Sequence, residues 1–135
     1  MVESVDRENL LESLEGRYSR SDLETDILVQ VNIGEEVQKG GIGEENLFGF
    51  CERILECPHL HLRGLMCVPP AVDPEAARPY FARMRALFEK VRDVCPGERI
   101  DILSMGMSHD YAIAIEEGAT IVRVGTALFG KRDRM

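Results

Sequence analysis

Four short apolar runs, separated by segments with helical spacing, constrain the fold of this 135-residue chain more than any other feature. The runs are rich in β-branched residues and lack a polar face, which is typical of parallel strands covered on both sides. They comprise residues 27–31, 62–68, 100–103 and 120–124, and Val2 to Val5 would form the end of a further strand. Because strands and helices alternate along the chain, we expect right-handed βαβ units in one α/β domain.

Helices are expected in the intervals between these runs. Residues 46–56 have apolar positions at helical spacing. A longer helix is expected after Asp73, which suits an N-cap, with Pro74 at the first helical position and a kink or restart at Pro79. Asp6 would cap the helix that follows the first strand.

Charge and hydropathy limit the function classes. Acidic residues number 24 and basic residues 16, and the net charge is −8. Nucleic acid and anionic membrane surfaces are therefore not expected as partners, since both require a basic face. No apolar run approaches the roughly 18–20 residues of a spanning helix. The amino terminus has no signal-peptide core, so we expect a cytoplasmic protein.

The cysteines indicate neither a disulfide framework nor a metal centre. None has CxxC spacing, and without a secretory signal we expect reduced, mostly buried thiols at Cys51, Cys57, Cys67 and Cys95. A short run of possible ligands, Cys57-Pro58-His59-Leu60-His61, supplies only three donors. No second pair completes a tetrahedral site, so no metal is expected.

The loops after the last two strands carry the most informative residues. The first, residues 103–110, leads into a helix for which Ser108 is the expected N-cap, and Gly106 permits a tight turn or a close approach to a ligand. In the second, Gly125 ends the strand and Thr126 adds a hydroxyl. Two such turns are consistent with the phosphate site of a (β/α)8 barrel, or with plain tight turns and helix caps.

Arg123 lies inside an otherwise apolar run. A buried arginine is costly unless its charge is paired. It would pair with Asp101 or Glu117, point to solvent at the end of the strand, or present a fixed cation to a ligand. The residues alone leave these alternatives open.

Linked motifs at the end of the chain resemble a known family. They are Ser104-Met105-Gly106-Met107-Ser108-His109-Asp110, then Ala114 to Thr120, then Val122 to Gly130. Together they closely resemble the pyridoxal phosphate homeostasis protein family. Other parts of the chain that match this family are Gln30 to Ile33 with Glu36, Lys39 and Gly41, then Leu62 to Met66, and Tyr80-Phe81.

This resemblance implies an alanine-racemase-like (β/α)8 barrel that binds pyridoxal 5′-phosphate (PLP). By motif, the loop near the phosphate would contain Ser104, Gly106, Met107 and Ser108, and the second phosphate-binding turn would contain Gly125 and Thr126. Arg123 would face the pyridine nitrogen. A permanent cation there disfavours ring protonation and weakens the cofactor as an electron sink. The resemblance thus implies a non-catalytic cofactor carrier and homeostasis factor, with racemase activity not expected.

The chain is short for the fold that the resemblance implies. A complete (β/α)8 barrel takes roughly 200 residues or more, so length alone favours a small complete domain. By alignment, residues 1–135 would instead begin near strand four and end after strand eight. The family's aldimine-forming lysine lies on the first barrel strand. We therefore expect a partial barrel without that lysine, which would bind PLP, or free phosphate, non-covalently at best.

Two further expectations follow from the partial barrel. Lys39 matches a family lysine in a loop at the ligand end and would capture the aldehyde if it reached the site; the alternative is a solvated loop lysine. The open sheet edges would also favour a different role. In that role the chain self-associates or pairs with an amino-terminal half, without binding the cofactor on its own.

Overall fold

Five parallel strands alternate with five helices over residues 1–133, the part of the chain that the computed structural model describes. The strands are β1 (Val2–Val5), β2 (Thr25–Gln30), β3 (Leu60–Met66), β4 (Ile102–Met107) and β5 (Ile121–Arg123). The helices are α1 (Glu8–Ser21), α2 (Glu44–Leu55), α3 (Pro74–Val94), α4 (Tyr111–Glu116) and α5 (Thr126–Phe129). The strands lie side by side in chain order and form a half-barrel. The expected α/β class and incomplete barrel are confirmed.

The two faces of the sheet have different surroundings. Ile27 and Val29 belong to the main hydrophobic cluster, which also contains the buried side chains of α2 and α3. Leu28 and Met66 are also buried but lie outside that cluster. Because side chains alternate along a strand, these two lie on the opposite, concave face, which corresponds to the interior of a barrel.

A β-bulge in β3 requires a glycine. In the pairing with β2, Arg63 is skipped, so that Leu62 and Gly64 lie opposite consecutive residues of β2. Gly64 has a φ of +153°, and a Cβ atom there would lie 1.7 Å from the carbonyl oxygen of Ile102. Only glycine allows β3 and β4 to approach this closely at that point.

The bulge places Arg63 between two carboxylates. Its guanidinium lies 2.7 Å from Asp26 of β2 and 2.8 Å from Asp101, which precedes β4. Arg99 also binds Asp101, at 2.8 Å. Partial burial opposes ionisation of Asp101, but the hydrogen bonds and charges of Arg63 and Arg99 outweigh it and hold the pKa of this carboxyl below its usual range.

Two expectations about helices are wrong. Helix α3 follows Asp73 and begins at Pro74 as predicted, but it continues through Pro79 without interruption. Pro79 lies in the second turn, where its missing N–H removes only one bond, to a first-turn carbonyl. Asp6 is not the cap of α1, which follows Arg7; its carboxylate instead accepts the N–H of Gly41 at 2.9 Å.

Strand β4 is longer towards its carboxyl end than predicted. Residues 100–103 were the expected strand, whereas β4 runs from Ile102 to Met107. Ser104 pairs with Met66 on one side and with Ile121 on the other. Ser104, Gly106 and Met107 therefore lie in a strand and not in a loop, because the ladder continues through small residues that resemble loop residues in the sequence.

Two histidines contact carboxylates, and the cysteines lie in the core. His59 Nδ1 lies 2.6 Å from Glu15, and His61 Nε2 lies 3.1 Å from Glu24. The four cysteines are buried, as predicted. Within residues 1–133, no group of three or more His, Cys, Asp and Glu side chains is placed to hold a metal ion. Over the same residues, no helix is both long enough and apolar enough to cross a membrane.

Candidate functional site

The carboxyl ends of β4 and β5 meet at an open cavity of about 380 Å³. Its lining consists of Met107, Ser108, His109, Arg123, Gly125 and Thr126. Five of the seven residues predicted for a cofactor site are thus brought together, and the other two, Ser104 and Gly106, lie in β4 just before the cavity. The carboxyl ends of parallel strands are where barrel proteins bind their ligands.

Arg123 is fixed by two neutral acceptors. Its Nη1 donates to the hydroxyl of Ser104 at 2.5 Å, and its Nη2 donates to the carbonyl oxygen of Cys67 at 2.8 Å. Ser104 is fully buried, with 0% of its surface exposed. The guanidinium is therefore held by β4 and by the residue that follows β3.

Neither carboxylate that the sequence offered as a partner binds Arg123. Asp101 is bound by Arg63, and Glu117 is bound by Arg78 at 2.9 Å. Among residues 1–133, no carboxylate oxygen lies within 4.0 Å of the Arg123 guanidinium. Arg123 thus brings a positive charge to the cavity that these residues leave uncompensated, as required to bind an anionic or electron-rich ligand.

The two glycines predicted for the site have different roles. Gly106 has a φ of +99°, and a Cβ atom there would lie 2.6 Å from the Cβ of Ala114 in α4. Gly106 therefore allows α4 to pack against β4. A Cβ atom on Gly125 would meet no atom within 4 Å, so this residue leaves space open in the cavity.

Ser108 is not the N-cap of the helix that follows it. Helix α4 begins two residues later than predicted, after Asp110, and the Asp110 carboxylate accepts the N–H of Met107 at 2.8 Å. The Ser108 oxygen instead accepts the N–H of Ala127 at 3.0 Å. The hydroxyl hydrogen of Ser108 remains able to donate to a ligand.

Side-chain-to-backbone hydrogen bonds connect the successive βα loops along this edge of the sheet. They join Asp6 to Gly41 at 2.9 Å, Lys39 to Pro69 at 3.0 Å, His109 to Val72 at 3.2 Å, and Ser108 to Ala127 at 3.0 Å. The structure therefore places Lys39 on the Pro69 carbonyl, 3.5 Å from Glu36. Among the described residues 1–133, Lys39 is not one of those that line the cavity at the ends of β4 and β5.

The thiol next to Arg123 is not an ionised nucleophile. Burial raises the pKa of Cys67 to about 12, and the charge of Arg123 only partly opposes this effect. Cys67 is therefore protonated near neutral pH, and its contribution to the site is its backbone carbonyl.

Sequence reasoning missed the roles of two residues. The Asp110 side chain is 3% exposed and precedes α4, but it makes no capping hydrogen bond to that helix; it accepts the N–H of Met107, a role that no signal in the sequence indicates. The carbonyl of Cys67 has no signal in the sequence, because any residue supplies a carbonyl.

One protein family and several curated proteins match this chain over nearly its whole length. The family described as alanine racemase, N-terminal domain, matches residues 1–133. The pyridoxal phosphate homeostasis protein of Aquifex aeolicus is 44% identical over 133 residues, which are 98% of this chain and 58% of that protein. The protein of the same name from Pasteurella multocida is 38% identical over 98% of this chain and 57% of its own length. The chain thus spans a little over half the length of these curated relatives.

Solved structures share the fold. PipY of Synechococcus elongatus, solved without PLP, superposes with a TM-score of 0.87 at 31% identity, over 95% of this chain and 60% of PipY. The structure of PipY with PLP bound gives a TM-score of 0.84 at 30% identity, over 95% of this chain and 59% of PipY. D-threonine aldolase from Filomicrobium marinum, at 18% identity and a TM-score of 0.74, shares the fold alone.

Proposed function

This chain belongs to the alanine racemase N-terminal domain family, and from that premise we propose that it binds PLP without a covalent link and serves intracellular PLP homeostasis. In this role it is a cytoplasmic cofactor-binding protein and not an enzyme. The observation that carries the proposal is Arg123, held by Ser104 and the Cys67 carbonyl at a cavity where residues 1–133 offer it no carboxylate. Its relatives named as pyridoxal phosphate homeostasis proteins and the PLP-bound PipY support the choice of ligand.

The residues present fit the chemical groups of PLP. The cavity of about 380 Å³ lies in the size range of small-molecule sites. The phosphate would be held by the hydroxyls of Ser108 and Thr126, and Gly125 leaves the space that it needs. Free phosphate would occupy the same position. Arg123 would donate to the ring nitrogen.

Arg123 also explains why the role is carriage and not catalysis. When bound, PLP supplies an electron sink that depends on its ring nitrogen. An arginine is always protonated and cannot accept a hydrogen bond, so it keeps the nitrogen facing it unprotonated and that sink weak. Racemisation further requires acid/base groups on both faces of the cofactor. Lys39, which lies in the loop between β2 and α2, donates its hydrogen bond to the Pro69 carbonyl.

Titration of PLP into the purified chain, followed by the cofactor's absorbance and fluorescence, tests the proposal. We expect Arg123→Gln to weaken binding by tenfold or more, since hydrogen bonds from a charged donor contribute about 1.5–3 kcal/mol. Arg99→Gln is the matched control, because Arg99 lies before β4 at the other end of the sheet and is 76% exposed. Inorganic phosphate should compete with PLP. Absence of PLP binding, or equal affinity of Arg123→Gln and the wild type, contradicts the proposal.

Borohydride treatment tests the absence of a covalent link. We expect PLP to be removed by dialysis and no reducible adduct to form. A stable adduct on Lys39 after reduction, identified by peptide mass spectrometry, would overturn the non-covalent part of the proposal while leaving PLP binding in place.

A second candidate role, association through the sheet edges, rests on a separate observation. Within residues 1–133, β1 and β5 are edge strands, and in α5, which follows β5, Leu128 and Phe129 are 72% and 86% exposed. Open edges and exposed apolar side chains favour pairing with a second copy of the chain. Size-exclusion chromatography with light scattering tests this role, for which Phe129→Glu should lower the oligomeric mass. A monodisperse wild-type monomer would count against it.

A further inference from the structure

His109 is a cavity residue to which the proposed function assigns no role. It shares the cavity lining with Arg123, Ser108 and Thr126. Its side chain is 53% exposed, so the imidazole is accessible to a ligand that enters there. The cavity therefore contains a second nitrogenous side chain besides Arg123.

The contacts of His109 determine which ring nitrogen carries the hydrogen. Nε2 lies 3.2 Å from the carbonyl oxygen of Val72 and 3.9 Å from the buried carboxylate of Asp110. A carbonyl oxygen only accepts hydrogen bonds, so Nε2 carries a hydrogen. The polar atom that the ring has left for a ligand is Nδ1.

The charge on the ring decides what Nδ1 does towards an anion. In the neutral ring Nδ1 has a lone pair, which repels the oxygen of a phosphate. In the imidazolium form Nδ1 carries a hydrogen and donates. Histidine changes between these forms in the pH range of 5 to 8.

Other charged groups around the ring come from several elements. Asp110 lies on the same loop, and Arg123 faces the same cavity from β5. Val72, which binds the ring, is followed by Asp73 at the start of α3. Lys131 and Arg132 line an adjoining cavity that shares Gly125 and Thr126. The ring is thus near the carboxylate of Asp110, 3.9 Å from Nε2, while Arg123 lines the same cavity and Lys131 and Arg132 line the adjoining one.

We propose that His109 binds the phosphate group of the ligand through Nδ1 in its imidazolium form, so that phosphate binding near neutral pH takes up one proton from solvent. This inference rests on the proposed function, since it adds a residue to the same cavity. The Nε2–H bond to Val72 stays in place throughout, and the only change on the ring is the gain of the Nδ1 hydrogen. Affinity for a phosphorylated ligand then rises as the pH is lowered.

The test compares the wild type with His109→Gln by calorimetric titration of PLP at pH 6.5 and 8.5. Glutamine retains an N–H for the Val72 carbonyl but carries no charge. Between pH 8.5 and pH 6.5, we expect the PLP affinity of the wild type to rise about tenfold more than that of the variant. Titration at pH 7.5 in two buffers of different ionisation enthalpy should give a proton uptake in the wild type that His109→Gln lacks. Pyridoxal, which has no phosphate, should show no difference between the two proteins.

His109→Arg is the second variant, because it places a permanent cation at the same position without adding an amine that would condense with the PLP aldehyde. It should bind PLP with no greater proton uptake than His109→Gln and with an affinity near that of the wild type at pH 6.5. Thermal unfolding of each variant checks the fold. If His109 only binds the Val72 carbonyl and does not contact the ligand, His109→Gln should show the same pH dependence of PLP affinity and the same proton uptake as the wild type. This result would overturn the inference.

Inorganic phosphate separates failure of this inference from failure of the proposed function. If the wild type binds phosphate with a His109-dependent proton uptake but does not bind PLP, the inference stands and the proposed function fails. If PLP binds equally to the wild type and His109→Gln at both pH values, the proposed function stands and the inference fails. Binding of neither ligand contradicts both.

Discussion

The guanidinium of Arg123 and the buried hydroxyl of Ser104 are hydrogen-bonded across two neighbouring strands, with 2.5 Å between Nη1 and Oγ. Ser104 lies within β4, between its partners Met66 and Ile121 in the adjoining strands. The position of the cation is therefore determined by the rigid sheet and not by a loop, which is the arrangement that a preorganised binding site requires.

Replacement of Ser104 by alanine should loosen Arg123 without removing its charge. We expect PLP affinity to fall about three- to tenfold, since one hydrogen bond to a charged group is lost. The measurement is PLP titration alongside urea unfolding. Thr120→Val is the matched control: the Thr120 hydroxyl accepts the N–H of Leu103 in β4 at 2.8 Å but does not contact Arg123. That variant should lose stability and keep its affinity, and equal loss of affinity in both would contradict a specific role for Ser104.

Alanine substitution of Gly125 should affect ligand binding, whereas alanine substitution of Gly106 should affect folding. Gly125→Ala adds a methyl group in open space, so it should leave the melting temperature nearly unchanged and weaken PLP binding. Gly106→Ala adds one at a φ of +99° and 2.6 Å from Ala114, so it should destabilise the fold by about 2 kcal/mol or more. Unfolding curves and PLP titrations of both variants check this, and unchanged affinity in Gly125→Ala would show that the ligand does not approach this residue.

The close approach of β3 and β4 should make Gly64 intolerant of any side chain. A Cβ atom 1.7 Å from the Ile102 carbonyl oxygen must displace a strand, and we expect Gly64→Ala to cost more than about 4 kcal/mol or to prevent folding. Gly49→Ala in α2 is the control: a methyl group there meets no atom within 4 Å and improves helix propensity by about 0.5–1 kcal/mol. Chemical denaturation followed by circular dichroism compares the two, and similar stability would contradict the register of the two strands.

The parallel architecture could be predicted from the sequence, because it follows from the hydrophobic pattern, and glycines at strand ends indicate the two turns that line the cavity. That these turns bind a cofactor is implied by the family resemblance and stays a prediction. The extent of β4 could not be predicted, since Ser104 and Gly106 resemble loop residues, and only the neighbouring strands make this segment a strand. The hydrogen-bond partners of Arg123 could not be predicted either. A sequence offers charged partners for an arginine, whereas the acceptors here are a hydroxyl and the backbone carbonyl of Cys67.

The ion pairs of Arg63 should support the sheet at neutral pH and lose this effect in acid. Since its arginine partners hold the pKa of Asp101 below the usual range, the folded state gains stability above the unfolded pKa of about 4, and this gain is lost as the pH falls through the lowered folded pKa. We expect Arg63→Met to cost about 1 kcal/mol at pH 7. The difference from the wild type should shrink below pH 4, as measured by urea unfolding. Arg83→Met, which removes an exposed pair with Glu44, should give a smaller cost.

Two buried thiols should make the protein less stable in alkali. Burial raises the pKa of Cys51 and of Cys67 to about 12. The unfolded chain releases these protons near pH 8.5–9, whereas the folded chain holds them until the pH approaches the raised values. Stability is therefore complete below about pH 8.5, and it falls as the pH rises towards 12, because the folded state then binds more protons than the unfolded state. At pH 10.5 we expect a loss of about 1–2 kcal/mol per thiol relative to pH 7.5, measured by urea unfolding under reducing conditions. The double variant Cys51→Ala/Cys67→Ala should be less stable at pH 7.5 but lose correspondingly less between the two pH values, and an unchanged loss would assign the alkaline effect to other groups.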